Sequence, residues 1–185
     1  MRRPLTILLA LVAATALAAC GNKEHKVLHG ATEGIYLDLG ELKYQVQISR
    51  VLNPSSPEDR AYLVGLDPSQ RDLPAGQEWF AVFMRVQNEH REAHPAARDY
   101  TITDTQDTKF RPVPLGPDNV FAYRPGNVAG HSLIPPPDSP AAEGSIQGSL
   151  LLFKIPTRNL ENRPLELSIA SPVTPGEVAT VDLDV

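Results

Sequence analysis

The feature that most constrains this chain is the alternation of apolar and polar residues along several short segments. In residues 41–49 every second side chain is apolar, the apolar set being Leu42, Tyr44, Val46 and Ile48. Such a period of two is typical of an antiparallel strand that buries one face. Residues 165–169 and 178–185 alternate in the same way and predict two further strands. Upstream, the apolar residues occupy odd positions (Ile35, Leu37, Leu39), so the phase changes at Gly40-Glu41, which predicts a bulge or kink there.

A second kind of segment is apolar on both faces. Residues 78–88 carry apolar side chains at odd and at even positions, namely Trp79, Phe80, Ala81, Val82, Phe83, Met84 and Val86. This pattern predicts a central strand that is covered on both sides, with Trp79 buried. Residues 145–155 predict another well-covered strand, which Pro156 ends. Residues 100–103 and 109–111 flank a polar turn segment and predict a hairpin.

Proline limits the helical content. The chain has 18 prolines in 185 residues, which argues against long helices. One short helix is predicted at Ser56-Pro57-Glu58-Asp59, which combines a capping residue, a proline at the first helical position and acids in the first turn. About seven strands separated by Pro/Gly turns, together with this helical turn, predict an all-β, immunoglobulin-like β-sandwich.

The first 19 residues have the pattern of a signal peptide. Arg2 and Arg3 precede an apolar stretch, residues 5–19, that is shorter than the roughly 20 helical residues needed to span a bilayer. It ends in Leu17-Ala18-Ala19-Cys20-Gly21, which resembles the lipobox of bacterial lipoproteins. The resemblance implies cleavage before Cys20, acylation of its thiol, and a mature chain anchored on the extracytoplasmic face of the cell membrane. The alternative is ordinary secretion with cleavage after Ala18, which would leave Cys20 as a free thiol.

These features divide the chain into a signal peptide (residues 1–19), a lipidated tether (20–33) and a sandwich domain (34–185). Removal of residues 1–19 takes away two of the 17 basic residues and none of the 22 acidic residues, so the mature net charge is −7. An acidic domain is repelled by an anionic lipid surface within about a Debye length, so it is expected to stand off the membrane. Nucleic acid is not an expected partner, because the chain lacks a basic footprint.

The strand patterns resemble a known family. The strand at residues 79–88 ends in "V-x-N" at Asn88, residues 100–104 follow with a distal Phe110, and residues 148–156 have the pattern "G-x-L-x-F-x-I-P". This order is similar to the telokin-like, immunoglobulin-fold domain of unknown function found in secreted and lipid-anchored actinobacterial proteins. The resemblance spans residues 42–169 and implies an immunoglobulin fold. It supplies no catalytic residues.

Metal-ligating residues are sparse. His90 and His94 form the tightest candidate pair, and Glu89 or Glu92 could add an oxygen ligand. The order H-x-E-x-H differs from the H-E-x-x-H of metalloproteases, and Pro95 argues against a helix at this point. The simpler interpretation is an exposed polar loop.

The sequence gives little support for a calcium site or for catalysis. Asp99, Asp104 and Asp107 could approach a calcium ion, although they lack EF-hand spacing and turn chemistry explains them as well. The chain contains no G-x-S-x-G elbow, Walker loop or dinucleotide-binding motif. We therefore expect no catalytic residues and no cofactor.

The segment from Arg111 to Ser145 carries eight of the prolines and supplies the candidate partner-binding residues Phe121, Tyr123 and Arg124. Its alternative role is a stiff cover over the edge of the sandwich. The leading functional hypothesis is a non-enzymatic, lipid-anchored module that binds a ligand or another envelope protein. The alternatives are a metal- or small-ligand-binding accessory lipoprotein that uses His90 and His94, and a hydrolase whose site is not recognisable.

Overall fold

The computed structural model describes residues 26–184, which form two packed β-sheets with short helical turns. The strands are β1 (His29–Gly30), β2 (Leu37–Leu39), β3 (Leu42–Leu52), β4 (Gln77–Gln87), β5 (His94–Pro95), β6 (Tyr100–Thr103), β7 (Lys109–Phe110), β8 (Asn127–Val128), β9 (Leu133–Ile134), β10 (Ser149–Pro156), β11 (Leu165–Ala170) and β12 (Val178–Leu183). Two α-helices, α1 (Pro57–Tyr62) and α2 (Pro140–Glu143), and two 3-10 turns, Pro68–Gln70 and Thr157–Glu161, lie in the connections.

The topology confirms the predicted sandwich. One sheet has the strand order β1-β12-β11-β6-β7, and the other has the order β10-β4-β3-β2, with β9 also paired to β4. A separate ribbon joins β5 and β8. The named strands pair antiparallel except β1, which runs parallel to β12. The predicted hairpin is present as β6 and β7, in which Ile102 pairs with Phe110.

Strand β4 lies between two apolar clusters, as its sequence predicts. Its even-numbered side chains face the core between the sheets, and its odd-numbered side chains face a second cluster on the outer side of the same sheet. Trp79 is fully buried in this second cluster. Tyr62 of α1 covers the cluster and packs edge-to-face on Phe83 and on Phe121, with ring centroids 5.0 Å and 4.9 Å away.

The change of phase at Gly40-Glu41 is a turn and not a bulge, so that prediction is wrong. Leu39 of β2 pairs with Leu42 of β3, which leaves Gly40 and Glu41 as a two-residue hairpin loop. Gly40 has a φ of +59°, and glycine is favoured at the first position of such loops because it tolerates this conformation. A tight turn reverses the chain and therefore resets the alternation. The bulge in this sheet lies further along β3, between Val46 and Ile48.

Residues 26–33, which the sequence assigned to the tether, lie along the sandwich, and we call them the strap. His29 and Gly30 form β1, and the backbone N–H of Thr180 in β12 donates to the carbonyl of Leu28 at 2.8 Å. Backbone pairing depends little on side-chain polarity, so a polar sequence does not prevent it. Residues 26–33 are thus part of the folded sandwich.

The connection from residue 111 to residue 145 covers the edge of β10. The N–H of Leu150 donates to the carbonyl of Phe121 at 2.7 Å, and the N–H of Tyr123 donates to the carbonyl of Leu150 at 2.8 Å. The N–H of Val113 donates to the carbonyl of Leu152 at 2.7 Å. These bonds satisfy backbone groups that an open edge would offer to another strand. Residues 111–145 therefore have the geometry of a segment that covers the edge of β10, and we call them the covering segment.

Candidate ligand cleft

An open cleft of about 540 Å³ lies at the end of the sandwich where the β2–β3 turn, the loop after β4 and the turn before β12 meet. We call this end the cleft end. The first residue of the strap also reaches this point. The charged and titratable side chains that line the cleft are Lys26, Asp38, Glu41, Lys43, Glu89 and His90.

Pairs of a nitrogen base and a carboxylate surround the cleft. The Nζ of Lys43 lies 2.9 Å from Oε2 of Glu89, and the Nε2 of His90 lies 3.6 Å from Oε2 of Glu41. The side chains in these two pairs are 40–56% exposed, so each pair contributes little to folding stability. Side chains of both charge signs are therefore partly exposed at the cleft.

A third pair is better shielded. The Nζ of Lys26 lies 3.0 Å from Oε1 of Glu177, whose side chain is only 13% exposed. The hydrogen bond from Lys26, together with one from the N–H of Gly40 at 3.2 Å, lowers the pKa of Glu177 although partial burial opposes this shift. The pair therefore holds the start of the strap against the turn before β12.

Asn88 holds the loop that forms one wall of the cleft. Its side chain is almost fully buried, and its Nδ2 donates to the carbonyls of Glu92 (2.7 Å), Val128 (2.9 Å) and Ala129 (3.1 Å). Its Oδ1 accepts the N–H of His90 at 2.9 Å. This is the asparagine of the "V-x-N" pattern, so the motif supports a loop and not a reaction.

The structure brings the predicted histidine pair together. The rings of His90 and His94 pack edge-to-face with centroids 5.4 Å apart. The backbone of His131, at a φ of +56°, donates to the carbonyl of His90 at 3.0 Å. Within residues 26–184, no three His, Cys, Asp or Glu side chains gather so as to hold a metal ion. The candidate metal pair thus consists of the His90 and His94 imidazoles, with the carboxylate of Glu41 next to His90.

Asp104 organises the β6–β7 hairpin, which argues against a calcium ligand. Burial alone would raise its pKa, but hydrogen bonds from the side chains of Asn159 (2.7 Å) and Asn162 (3.0 Å) and from the N–H groups of Thr108 (2.8 Å) and Gln106 (2.9 Å) hold the pKa well below its ordinary value. Both carboxylate oxygens are therefore occupied by internal donors.

The predicted partner-binding residues belong to the covering segment. Phe121 packs against Tyr62, and Tyr123 is only 7% exposed, so neither ring is free for a partner. Arg124 is exposed, but its guanidinium donates to the carbonyls of Leu115, at 2.9 Å, and Gly116. These side chains lie in the segment that covers the edge of the sandwich, and partner binding by them stays a prediction.

Two tyrosines hold the backbone of Ala97 in the core. The N–H of Ala97 donates to the hydroxyl of Tyr44 at 2.8 Å, and the hydroxyl of Tyr123 donates to the carbonyl of Ala97 at 3.0 Å. Burial raises the pKa of Tyr44 to about 12, although the bond from Ala97 opposes the shift. Sequence analysis missed this clamp, because the tyrosines lie 79 positions apart along the chain.

The predicted lipidation site, Cys20, lies outside the described residues. Within residues 26–184, no helix is long and apolar enough to cross a membrane.

Comparison with known proteins shows the fold alone. No protein-family model matches the chain, and no curated protein matches it. The yjhA protein of Bacillus subtilis matches 83% of this chain and 99% of its own, with a TM-score of 0.52 and 11% identity.

Two further solved structures match less closely. The ycdA protein of Bacillus subtilis strain 168, described as a candidate lipoprotein, matches 87% of this chain and 39% of its own (TM-score 0.49, 12% identity). An uncharacterised β-sandwich protein of Clostridium difficile 630 matches 88% and 98% (TM-score 0.45, 10% identity).

Proposed function

We propose that this chain is a non-enzymatic, lipid-anchored, extracytoplasmic module that binds a polar ligand or an envelope protein at the cleft. The observation that carries the proposal is the open cleft of about 540 Å³ with accessible charges of both signs. Concave sites with a few convergent polar groups are where proteins bind ligands. The covered edge of β10 supports the same choice, because Phe121 and Tyr123 pack against the sandwich at that edge.

The use of the buried polar side chains supports binding over catalysis. Asn88 and Asp104 each hold a loop through hydrogen bonds to neighbouring groups. Asn119 does the same, since its Nδ2 donates to the carbonyls of Tyr62 and Val64 at 2.9 and 2.8 Å. Catalytic groups are instead left free to face a substrate. These side chains stabilise the scaffold that presents the cleft.

The lipid anchor is part of the proposal and is supported by the lipobox-like sequence before Cys20. Replacement Cys20→Ser removes the thiol that acylation requires, so the variant is expected to leave the membrane fraction. Fractionation of cells after a high-salt wash measures this. Retention of the variant in washed membranes would contradict anchoring through Cys20.

Binding at the cleft is tested by photo-crosslinking in intact cells. A photoreactive amino acid at Glu41, in the cleft, is expected to give discrete adducts, and the same amino acid at Glu161, at the opposite end, is the matched control. A second variant, Lys43→Glu, reverses one charge of the cleft and is expected to reduce the Glu41 adducts at least fivefold. Equal adducts from both positions, or adducts insensitive to Lys43→Glu, would contradict the proposal.

We also propose that the sandwich is related to the telokin-like domains whose strand pattern it resembles. Asn88 and Gly148 support this relation, since both pattern residues have structural roles. A Cβ added at Gly148 would lie 3.0 Å from the Cβ of Phe83, so this position requires a residue without a side chain.

A second candidate function is weak binding of a transition metal, and the contact between His90 and His94 favours it. Imidazole nitrogens are good ligands for zinc and copper, and the two rings are in contact with centroids 5.4 Å apart. Calorimetric titration with zinc is expected to show at least tenfold weaker binding in His94→Asn, with His131→Asn as the matched control. Equal heats for the two variants and the unmodified chain would exclude this site.

A further inference from the structure

We propose that the strap holds the sandwich with its cleft end toward the bilayer, so that a ligand of the cleft is met at the membrane surface. This inference rests on the proposed lipidation of Cys20. It specifies the orientation of the sandwich relative to the membrane. This orientation follows from the position where the strap begins and from the contacts that bind the strap to the sandwich.

The strap begins at the cleft end. Lys26 lines the cleft and pairs with Glu177 at 3.0 Å. The next residue, Val27, exchanges two hydrogen bonds with Asp38: its N–H donates to Oδ2 at 3.0 Å, and its carbonyl accepts the N–H of Asp38 at 2.7 Å. The chain therefore joins the domain within one residue of the cleft.

The strap then runs along β12 and is fastened again at its other end, at Glu33. His29 and Gly30 pair with β12, and Nδ1 of His29 lies 2.9 Å from Oγ1 of Thr180. The carboxylate of Glu33 accepts the N–H groups of Ser49 (3.1 Å) and Asp184 (3.2 Å), and so it bridges the two sheets. Attachment at both ends keeps the exit point of the chain at the cleft.

The free length of chain is too short for the opposite orientation. Six residue steps separate Cys20 from Lys26, which span at most about 20 Å when fully extended. An 11-residue strand such as β4, which runs from the far end of the sandwich to the cleft end, spans about 33 Å. An anchor that emerges at the cleft end therefore cannot reach past the domain to place the other end on the bilayer.

Charge disfavours the remaining alternative, in which the sandwich lies on its side. The mature chain has a net charge of −7, and the surface of a membrane that contains anionic lipids repels it within about 10 Å. The short tether keeps the cleft end near the surface while repulsion keeps the long side away. Together these two effects leave the upright orientation.

The experiment uses the lipidated full chain in liposomes that contain acceptor-labelled headgroups. Because acylation occupies Cys20, an introduced cysteine is the single thiol available for a donor dye. Ala93→Cys places the dye at the cleft end, and Glu161→Cys places it at the opposite end, both at exposed positions. With a Förster radius close to the length of the sandwich, energy transfer from position 93 is expected to be at least twice that from position 161.

Two changes to the chain test the cause. A flexible linker of about 20 residues inserted after Gly21 is expected to make transfer from the two positions equal, since it exceeds the length of the domain. Gly30→Val is expected to weaken the preference, because a Cβ at residue 30 would already lie 3.3 Å from Val181 and force β1 away from β12. Ala31→Val, at an exposed neighbouring position, is the control and should leave the preference unchanged.

The outcomes separate the two proposals. A chain that does not float with the liposomes overturns the lipid anchor and the orientation with it. A chain that floats but gives equal transfer from positions 93 and 161 overturns the orientation alone. A preference that survives both the linker and Gly30→Val shows that the strap is not its cause.

Discussion

Asn88→Ala is the substitution that most directly tests how the cleft wall is held. The side chain is 1% exposed and makes four hydrogen bonds, three to backbone carbonyls and one from the N–H of His90. Each such bond contributes about 0.5–1.5 kcal/mol, and buried carbonyls left without a donor cost more than exposed ones. We expect a loss of about 3–5 kcal/mol in the free energy of unfolding.

Urea denaturation of the mature chain carrying Cys20→Ser measures this loss. Asn127→Ala is the matched control, because Asn127 is exposed on the neighbouring strand β8, and it should change stability by less than about 0.5 kcal/mol. Hydrogen exchange adds spatial detail: the N–H groups of His90 and His131 should exchange faster in Asn88→Ala, while that of Thr108 at the opposite end should not. A loss below about 1 kcal/mol with unchanged exchange at His90 and His131 would refute the role of Asn88.

Three further predictions concern the core, the covering segment and the acid response. Trp79→Ala is expected to cost about 3–5 kcal/mol by chemical denaturation, because the ring is fully buried. Tyr123→Phe should cost about 1–2 kcal/mol through loss of the bond to Ala97, whereas the exposed Arg124→Ala should cost less than about 1 kcal/mol; the reverse order would contradict the covering role. Ionised Asp104 has a lowered pKa in the fold, so its contribution is complete above the unfolded value of about 4 and is lost as pH falls below it. The gap in melting temperature between the unmodified chain and Asp104→Asn should therefore be full at pH 7 and shrink toward pH 2.

The strands were predictable where burial controls the sequence. Alternation in β3 and continuous apolarity in β4 arise because inward positions must be apolar, and the structure places them accordingly. Residues 145–155 were predicted as one strand, but β10 begins only at Ser149. The residues just before it are not in a strand, and the partly buried Ile146 among them packs against the outer cluster. The spacing of apolar residues cannot distinguish a strand from an irregular segment that also buries its side chains against the sheet.

The parts held by backbone hydrogen bonds were not predictable from the pattern of side chains. The strap is polar and was assigned to a tether, yet β1 and Glu33 bind it to both sheets. The edge of β10 is likewise covered through backbone groups of a proline-rich segment.

The cleft contains residues that the sequence pattern predicts and residues that it does not. His90 and His94 were found from their spacing, and the structure brings their rings together. Glu41 and Lys26 come from distant parts of the chain, so only the fold brings them to the same cleft.

The proposed orientation and function both depend on the proposed attachment of the mature chain to a membrane through Cys20. Mass spectrometry of the N-terminal peptide, from protein extracted from membranes, tests it most directly. We expect a peptide that begins at Cys20 and carries a diacylglycerol on the thiol, with a further acyl chain on the amino group. A peptide that begins at Ala19 after cleavage behind Ala18, or one with an unmodified Cys20 thiol, would contradict it.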